Sequence, residues 1–315
     1  MIRNYQSGDE AAIVALWNRA CPKEPISMEM FVKRVLVDPN FDSEGLILYE
    51  EDGELLGFTL GIVRKLPLSG SDLEPENGWV TAFFVHPDHQ RRGIAKKMFE
   101  AVEAFFTSRS RRYIFFSSYA PNYFVPGIDA SRYPDARAFL DGQGYRVLYS
   151  PVAMDKNLVD FSIPADVHEV EDTRRKEGYV FEYLTPKLIT QLVEFNDTKF
   201  NPDWARAVRE AVGQGVPLNQ ILVAHKDGQI VAFCMYGAYD GVGERFGPFG
   251  VDDSLRGTGL GKVLLYKCLH DMKARGLHNA WFLWTGETSP AGHLYYRAGF
   301  EVTRRFDVMR KDLQA

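Results

Sequence analysis

The sequence predicts an α/β protein made of two tandem copies of one domain. Three observations carry that reading: ordered landmarks that recur in each half, a strand-then-helix periodicity within each copy, and a length of 315 residues. Such a length suits two domains of about 150 residues, each able to bury its own core.

The first landmark is a hairpin. Leu46-Ile47-Leu48-Tyr49 and Leu55-Leu56-Gly57-Phe58 flank Glu51-Asp52-Gly53-Glu54, and Ile221-Leu222-Val223-Ala224 and Ile230-Val231-Ala232-Phe233 flank Lys226-Asp227-Gly228-Gln229. Asp-Gly between apolar runs marks a tight turn because that turn needs positive φ. The second landmark is an apolar strand, a glycine-containing loop and an amphipathic helix. One copy reads Val80 to Val85, then Gln90-Arg91-Arg92-Gly93-Ile94-Ala95, then Ile94, Met98, Val102 and Phe105 on one helix face. The other reads Phe246 to Val251, then Arg256-Gly257-Thr258-Gly259-Leu260-Gly261, then Leu260, Leu264, Cys268 and Met272. Steps of three and four residues fit an amphipathic helix.

The third landmark is a short helix ending in Gly plus an aromatic residue: Phe139-Leu140-Asp141-Gly142-Gln143-Gly144-Tyr145 and Leu294-Tyr295-Tyr296-Arg297-Ala298-Gly299-Phe300. The spacing between partner glycines shrinks along the chain, which places insertions in the first copy, at 66–77 and 119–131. Surface loops absorb such insertions cheaply. Each copy closes on a matching strand, Val152-Ala153-Met154-Asp155-Lys156 and Asp307-Val308-Met309-Arg310-Lys311, so the expected domains are 1–158 and 159–315.

The composition is 45% apolar and 25% charged, that of a folded protein. A net charge of -5 argues against a broad nucleic-acid footprint. No apolar run reaches the roughly 20 residues of a membrane span, so no membrane partner is expected. Cys21, Cys234 and Cys268 are widely separated without metal-ligand spacing, so neither a metal nor a disulfide framework is expected, and a cytoplasmic setting is. Cys234, on an apolar strand, reads as core.

The loop of the second landmark delivers the chain into a helix whose first amides lack intrahelical acceptors and carry the positive end of the dipole. An anion satisfies both. Gly93, Gly259, Gly261 and the small Ala95 let a pyrophosphate approach the backbone, with Arg91, Arg92, Lys96 and Lys97, or Arg256 and Lys262, supplying charge. The spacing is not that of a P-loop, and the preceding hairpin disfavours a dinucleotide fold.

Gln90-x-x-Gly93-x-Ala95 and Arg256-x-x-Gly259-x-Gly261, each just beyond a strand, resemble the pyrophosphate loop of the GNAT N-acyltransferase superfamily. Leu294-Tyr295 through Gly299-Phe300 is similar to the family's late helix, and the resemblance covers nearly the whole chain as two copies. It implies two domains, each a mixed, mostly antiparallel sheet flanked by helices, with a cleft between two splayed parallel strands. The donor it implies is acetyl-CoA or another acyl-CoA, bound at Val85, Gln90, Arg91, Arg92, Gly93, Ile94, Ala95 and Lys96 in the first copy. In the second copy the matching set is Phe249, Val251, Arg256, Gly257, Thr258, Gly259, Leu260, Gly261 and Lys262.

The reaction the resemblance implies is direct attack of an amine, on a small molecule or peptide, upon the thioester. Backbone amides at Phe249 to Val251 would polarise the carbonyl, and Tyr295 would serve the leaving thiolate. Full proton transfer from Tyr to an alkyl thiolate is uphill by about 2 kcal/mol, so hydrogen bonding is the expected role. Leu140 stands where Tyr295 stands, so the second copy is the better catalyst. Glu244 and Glu287 are candidate bases, whereas His293 and Tyr296 read as structural. Alternatives are an acyl-CoA sensor or scaffold, and an aminoacyl-type transferase.

Overall fold

The computed structural model describes residues 1–70 and 72–313. In chain order it contains β1 (Ile2–Asn4), α1 (Glu10–Ala20), α2 (Met28–Phe31), β2 (Leu46–Glu51), β3 (Glu54–Ile62), β4 (Asn77–Val85), α3 (Ile94–Ser108), β5 (Tyr113–Phe116), α4 (Pro134–Gly142) and β6 (Arg146–Tyr149). There follow β7 (Val152–Asn157), α5 (Ala165–Lys176), β8 (Val180–Tyr183), α6 (Ile189–Lys199), α7 (Pro202–Gly213), β9 (Ile221–Lys226) and β10 (Gln229–Tyr236). The chain ends with β11 (Phe246–Val251), α8 (Leu260–Ala274), β12 (Asn279–Thr285), α9 (Pro290–Arg297), β13 (Glu301–Arg305) and β14 (Val308–Asp312).

Both predicted hairpins form, as β2–β3 and β9–β10. Asp52 and Gly53 have φ of 51° and 80°, and Asp227 and Gly228 have 50° and 75°, the double positive φ that a two-residue turn demands. The loop helices α3 and α8 are each 15 residues long. Ile94, Met98, Val102 and Phe105 are buried on one, and Leu260, Leu264, Cys268 and Met272 on the other, which is the expected apolar stripe. No helix of the described residues is long and apolar enough to cross a membrane.

The chain divides into two compact units, but not at 158/159. Unit 1 is Met1–Pro151 with Arg305–Ala315, and unit 2 is Val152–Arg304. The closing strands expected at the end of each copy are exchanged. Unit 1 is a seven-stranded sheet in the order β1-β2-β3-β4-β5-β14-β6, so the last strand of the chain lies inside it. There β14 pairs antiparallel with β5 through Met309↔Phe116 and Arg310↔Phe115, and with β6 through Val308↔Tyr149. In unit 2, β7 takes the corresponding place in a β12-β7-β13 sheet beside a second sheet, β11-β10-β9-β8.

In unit 1, β4 pairs parallel with β5 only from Asn77↔Tyr113 to Val80↔Phe116. The strand then runs on to Val85 beyond the last of those pairs. In unit 2 the separation is greater, since a single parallel bridge, Arg245↔Trp281, links the neighbourhoods of β11 and β12. A sheet that opens in this way leaves amides and carbonyls of its parting strands facing a gap, and such groups need a partner.

Candidate functional site

In each unit the parted strand leads through a short turn to a glycine in the left-handed region, Gly93 at φ 77° and Gly259 at 86°, which N-caps the long helix. The first intrahelical bonds are Lys97 N to Gly93 O and Val263 N to Gly259 O. The amides of residues 94–96 and 260–262 therefore have no helical acceptor and point out of the helix end. Ile94, Ala95 and Lys96 line a cavity of about 630 Å³ in unit 1. Leu260, Gly261 and Lys262 line one of about 760 Å³ in unit 2.

The strand ends add further donors. His86 N donates to Leu56 O and Asp252 N to Val231 O. Amide direction alternates along a strand, so the amides of Phe83 and Val85, and of Phe249 and Val251, face away from the paired neighbour and into the gap. These four residues line the cavities. Each cavity thus joins outward amides at a strand end to the positive end of a helix, a geometry suited to an anionic ligand that also carries a carbonyl.

Residues 12–123 match the profile described as "Acetyltransferase (GNAT) family", and residues 217–302 match "Acetyltransferase (GNAT) domain". The chain belongs to the GNAT superfamily. It is a tandem GNAT protein, and family membership supports an acyltransferase activity. No curated protein matches it.

Among solved structures, it is similar to the GCN5-related glucosamine N-acetyltransferase region of a fungal multi-domain GH3 β-N-acetylglucosaminidase, with TM-score 0.80 and 18% identity. That match covers 98% of this chain and 38% of the other. A GCN5-related N-acetyltransferase from Sphaerobacter thermophilus has TM-score 0.72 and 19% identity, covering 100% and 96%. A tandem GNAT protein from the clavulanic acid biosynthesis pathway has TM-score 0.65 and 15% identity, covering 100% and 99%. At these identities the likeness is one of fold.

Most of the expected loop residues converge on the two cavities of the tandem GNAT chain. Val85, Gln90, Arg91, Gly93, Ile94, Ala95 and Lys96 line the first. Phe249, Val251, Arg256, Gly257, Gly259, Leu260, Gly261 and Lys262 line the second. Arg92 and Thr258 are not among the lining residues. Arg92 turns to Glu51 at 2.9 Å, and the Thr258 hydroxyl donates to the Leu255 carbonyl at 2.7 Å. Three of the other cations are engaged by acids that the sequence reading missed: Arg91 with Asp135 at 3.6 Å, Arg256 with Asp253 at 2.5 Å, and Lys262 with Asp166 at 2.5 Å. The Lys262 ammonium lowers the Asp166 carboxyl below its ordinary value. These pairs are solvent-exposed and screened, so an incoming phosphate displaces them at little cost.

Tyr295 is buried between the parting strands. Its ring centroid lies 6.1 Å from Phe246 and 6.0 Å from Phe249 on β11, 4.5 Å from Phe282 on β12, and 5.4 Å from Phe300. The cavity wall includes its neighbours Leu294 and Phe249, but Tyr295 is not among the lining residues. Burial, with the neighbouring Cys234 and Cys268 thiols, raises its hydroxyl far above the ordinary value, so it remains a neutral donor. Among the described residues that hydroxyl has no hydrogen-bond partner. In unit 1 the matching Leu140 is fully buried.

The expected bases fare less well. Glu244 precedes β11, roughly 20 Å of extended chain from Val251, and its carbonyl accepts from Trp281 N. Glu287 accepts from the Tyr296 hydroxyl at 2.7 Å and is not among the lining residues. His293 and Tyr296 are exposed on α9, and Cys234 is fully buried. In unit 1, Cys21 lines the cavity, but burial pushes its thiol up to about 12, with Glu24 adding, so it is no thiolate nucleophile near neutrality. Residues that sequence reasoning missed are Tyr133 in the first cavity and Phe200 and Arg297 in the second.

The two loops also differ in packing. A Cβ at Gly93 would meet nothing within 4 Å, whereas one at Gly259 would lie 2.6 Å from Val170 Cγ1 on α5. Both positions cost an alanine its left-handed backbone, about 1 kcal/mol. Gly259→Ala is expected to lose at least about 1 kcal/mol beyond Gly93→Ala in urea unfolding, from overpacking against Val170. Equal losses would mean that α5 gives way freely.

Proposed function

We propose that this tandem GNAT protein is an acyl-CoA-dependent N-acetyltransferase that moves an acetyl group from acetyl-CoA to a primary amine by direct attack, with unit 2 as the transferring unit. The observation that carries the reading is the cavity at β11 and α8, where strand-end amides and an open helix end line one continuous space. The pyrophosphate would accept from the amides of residues 260–262, with Lys262 and Arg256 as counter-charges released from Asp166 and Asp253. The thioester carbonyl would accept from the Phe249 or Val251 amide, which stabilises the developing oxyanion.

The neutral amine attacks the carbonyl carbon. The C–N bond forms, the C–S bond breaks, the nitrogen sheds its proton to water, and the thiolate takes a proton from water. Tyr295 donates a hydrogen bond to the sulfur as charge gathers there. With the hydroxyl held far above its ordinary value, the donor stays protonated through the whole working pH range, consistent with hydrogen bonding rather than proton transfer. In unit 1 the donor loop is present without the Tyr295 equivalent, so that unit binds the donor and does not transfer.

Calorimetric titration with acetyl-CoA tests both halves of the proposal. Two sites per chain are expected. Gly93→Asp should abolish one and Gly257→Asp the other, because a Cβ at either position meets nothing within 4 Å and a carboxylate there repels phosphate. Only Gly257→Asp should stop thiol release in the presence of amine. Absence of acetyl-CoA binding would remove the enzyme reading, and loss of thiol release in Gly93→Asp alone would move transfer to unit 1.

A further inference from the structure

The acceptor side of the unit 2 cavity has a chemistry of its own. Side chains alternate along β11, and positions 249 and 251 point to α8. A Cβ at Gly261 would lie 3.1 Å from Val251 Cγ2 and 3.3 Å from Phe249 Cζ. Gly250 faces the other way and carries no side chain. The Phe200 ring occupies that space, 2.3 Å from where a Cβ would stand. Trp204 packs beside it, with centroids 4.8 Å apart and planes tilted by 34°. Both rings are half-buried and line the same cavity as the helix end. The cavity therefore wraps round the end of β11, with its anion-binding groups on one face and two aromatic rings on the other. In unit 1 the position of Gly250 is held by Phe84, whose ring stacks on Phe58 at 4.8 Å.

The charged neighbours of this wall are occupied with one another. Lys199 pairs with Asp252 at 2.8 Å, and Arg206 pairs with Asp203 at 2.9 Å and with Glu210. The Asn201 side chain caps α7 by accepting from Trp204 N at 3.0 Å. Polar recognition from the two rings is limited to the Trp204 indole N–H.

Building on the transferase reading, we propose that the acceptor of unit 2 is a primary amine on an aromatic or similarly flat apolar body, seated against Phe200 and Trp204. An amino sugar would bring several hydroxyls against rings that cannot satisfy them, and each unpaired group is costly when buried. A polyamine would bring a second cation, and among the described residues the nearby carboxylates Asp252, Asp203 and Glu210 are already paired with Lys199 and Arg206. An aralkyl amine matches ring to ring. An apolar surface disfavours the charged form of a buried ammonium, so the amine loses its proton to water on entry and arrives as a nucleophile.

The test is direct binding of 2-phenylethylamine, glucosamine and spermidine to the full chain by calorimetry, with acetyl-CoA binding measured in parallel. 2-Phenylethylamine should bind at least tenfold tighter than the other two. Trp204→Ala should weaken it about tenfold and Trp204→Phe little, both with acetyl-CoA affinity unchanged. Glucosamine or spermidine binding as tightly, no binding of 2-phenylethylamine, or an unaffected Trp204→Ala would overturn the proposal. Amine binding that persists in a chain with no affinity for acetyl-CoA would sink the transferase reading and leave the aromatic seat standing. The reverse pattern would sink the seat alone.

Discussion

A chain ending at Arg304 is expected to lose the fold of unit 1 while retaining that of unit 2. Removing β14 takes out an inner strand that pairs with β5 on one side and β6 on the other, so two new edges open at once. Val308 and Met309 are essentially fully buried, and each contributes about 1.5–3 kcal/mol by leaving water. Polar anchors go with them: Arg137 and the Ser150 hydroxyl bind Asp307, and Lys311 reaches Glu103 at 2.6 Å. The total approaches the whole stability of an ordinary domain. Hydrogen exchange reads the outcome by region. Amides of β5 and β6 should become unprotected, those of β9 to β11 should keep their protection, and a peptide of residues 305–315 should restore the former. Protection of β5 that survives the truncation would contradict the place of β14 in unit 1.

That exchange was not legible in the sequence, and the reason is physical. Val152 to Lys156 and Asp307 to Lys311 have the same strand character, and either segment satisfies the slot between a β5-type and a β6-type strand. A strand pattern specifies an element and its faces, not which of two equivalent sheets receives it. The hairpins, α3, α8 and the glycine N-caps were legible because each rests on local rules: Asp-Gly at positive φ, a three-to-four residue period, and a left-handed residue opening a helix. The loop cations were legible as residues but not in their pairing. Asp166 lies far from Lys262 in sequence, and Asp135 far from Arg91, so only the folded chain brings them together. The aromatic seat was hidden for a related reason. The consequence of Gly250 lying opposite Phe200 depends on tertiary packing alone.

Tyr295→Phe is expected to lower turnover ten- to a hundredfold while leaving acetyl-CoA affinity and stability essentially unchanged. A hydrogen bond to a developing charge contributes about 1.5–3 kcal/mol, and each 1.4 kcal/mol is a factor of ten in rate. Stability should hold because the hydroxyl has no hydrogen-bond partner among the described residues, so its removal breaks no bond in the folded chain. The ring, packed between Phe249 and Phe282, is retained in Phe and continues to keep β11 and β12 apart. Tyr295→Leu serves as the opposite control. It reproduces the residue found at Leu140, removes the ring as well, and should cost both turnover and stability. The pH profile supplies a further check. Burial raises the Tyr295 hydroxyl above its ordinary value, so the neutral donor is favoured at every pH below that raised value, and the alkaline limb of turnover should show no titration near 10. Unchanged turnover in Tyr295→Phe would remove the hydroxyl from the chemistry and leave the residue as an aromatic spacer between the strands. The thiolate would then depart with water alone, and Leu140 would no longer distinguish unit 1 from unit 2.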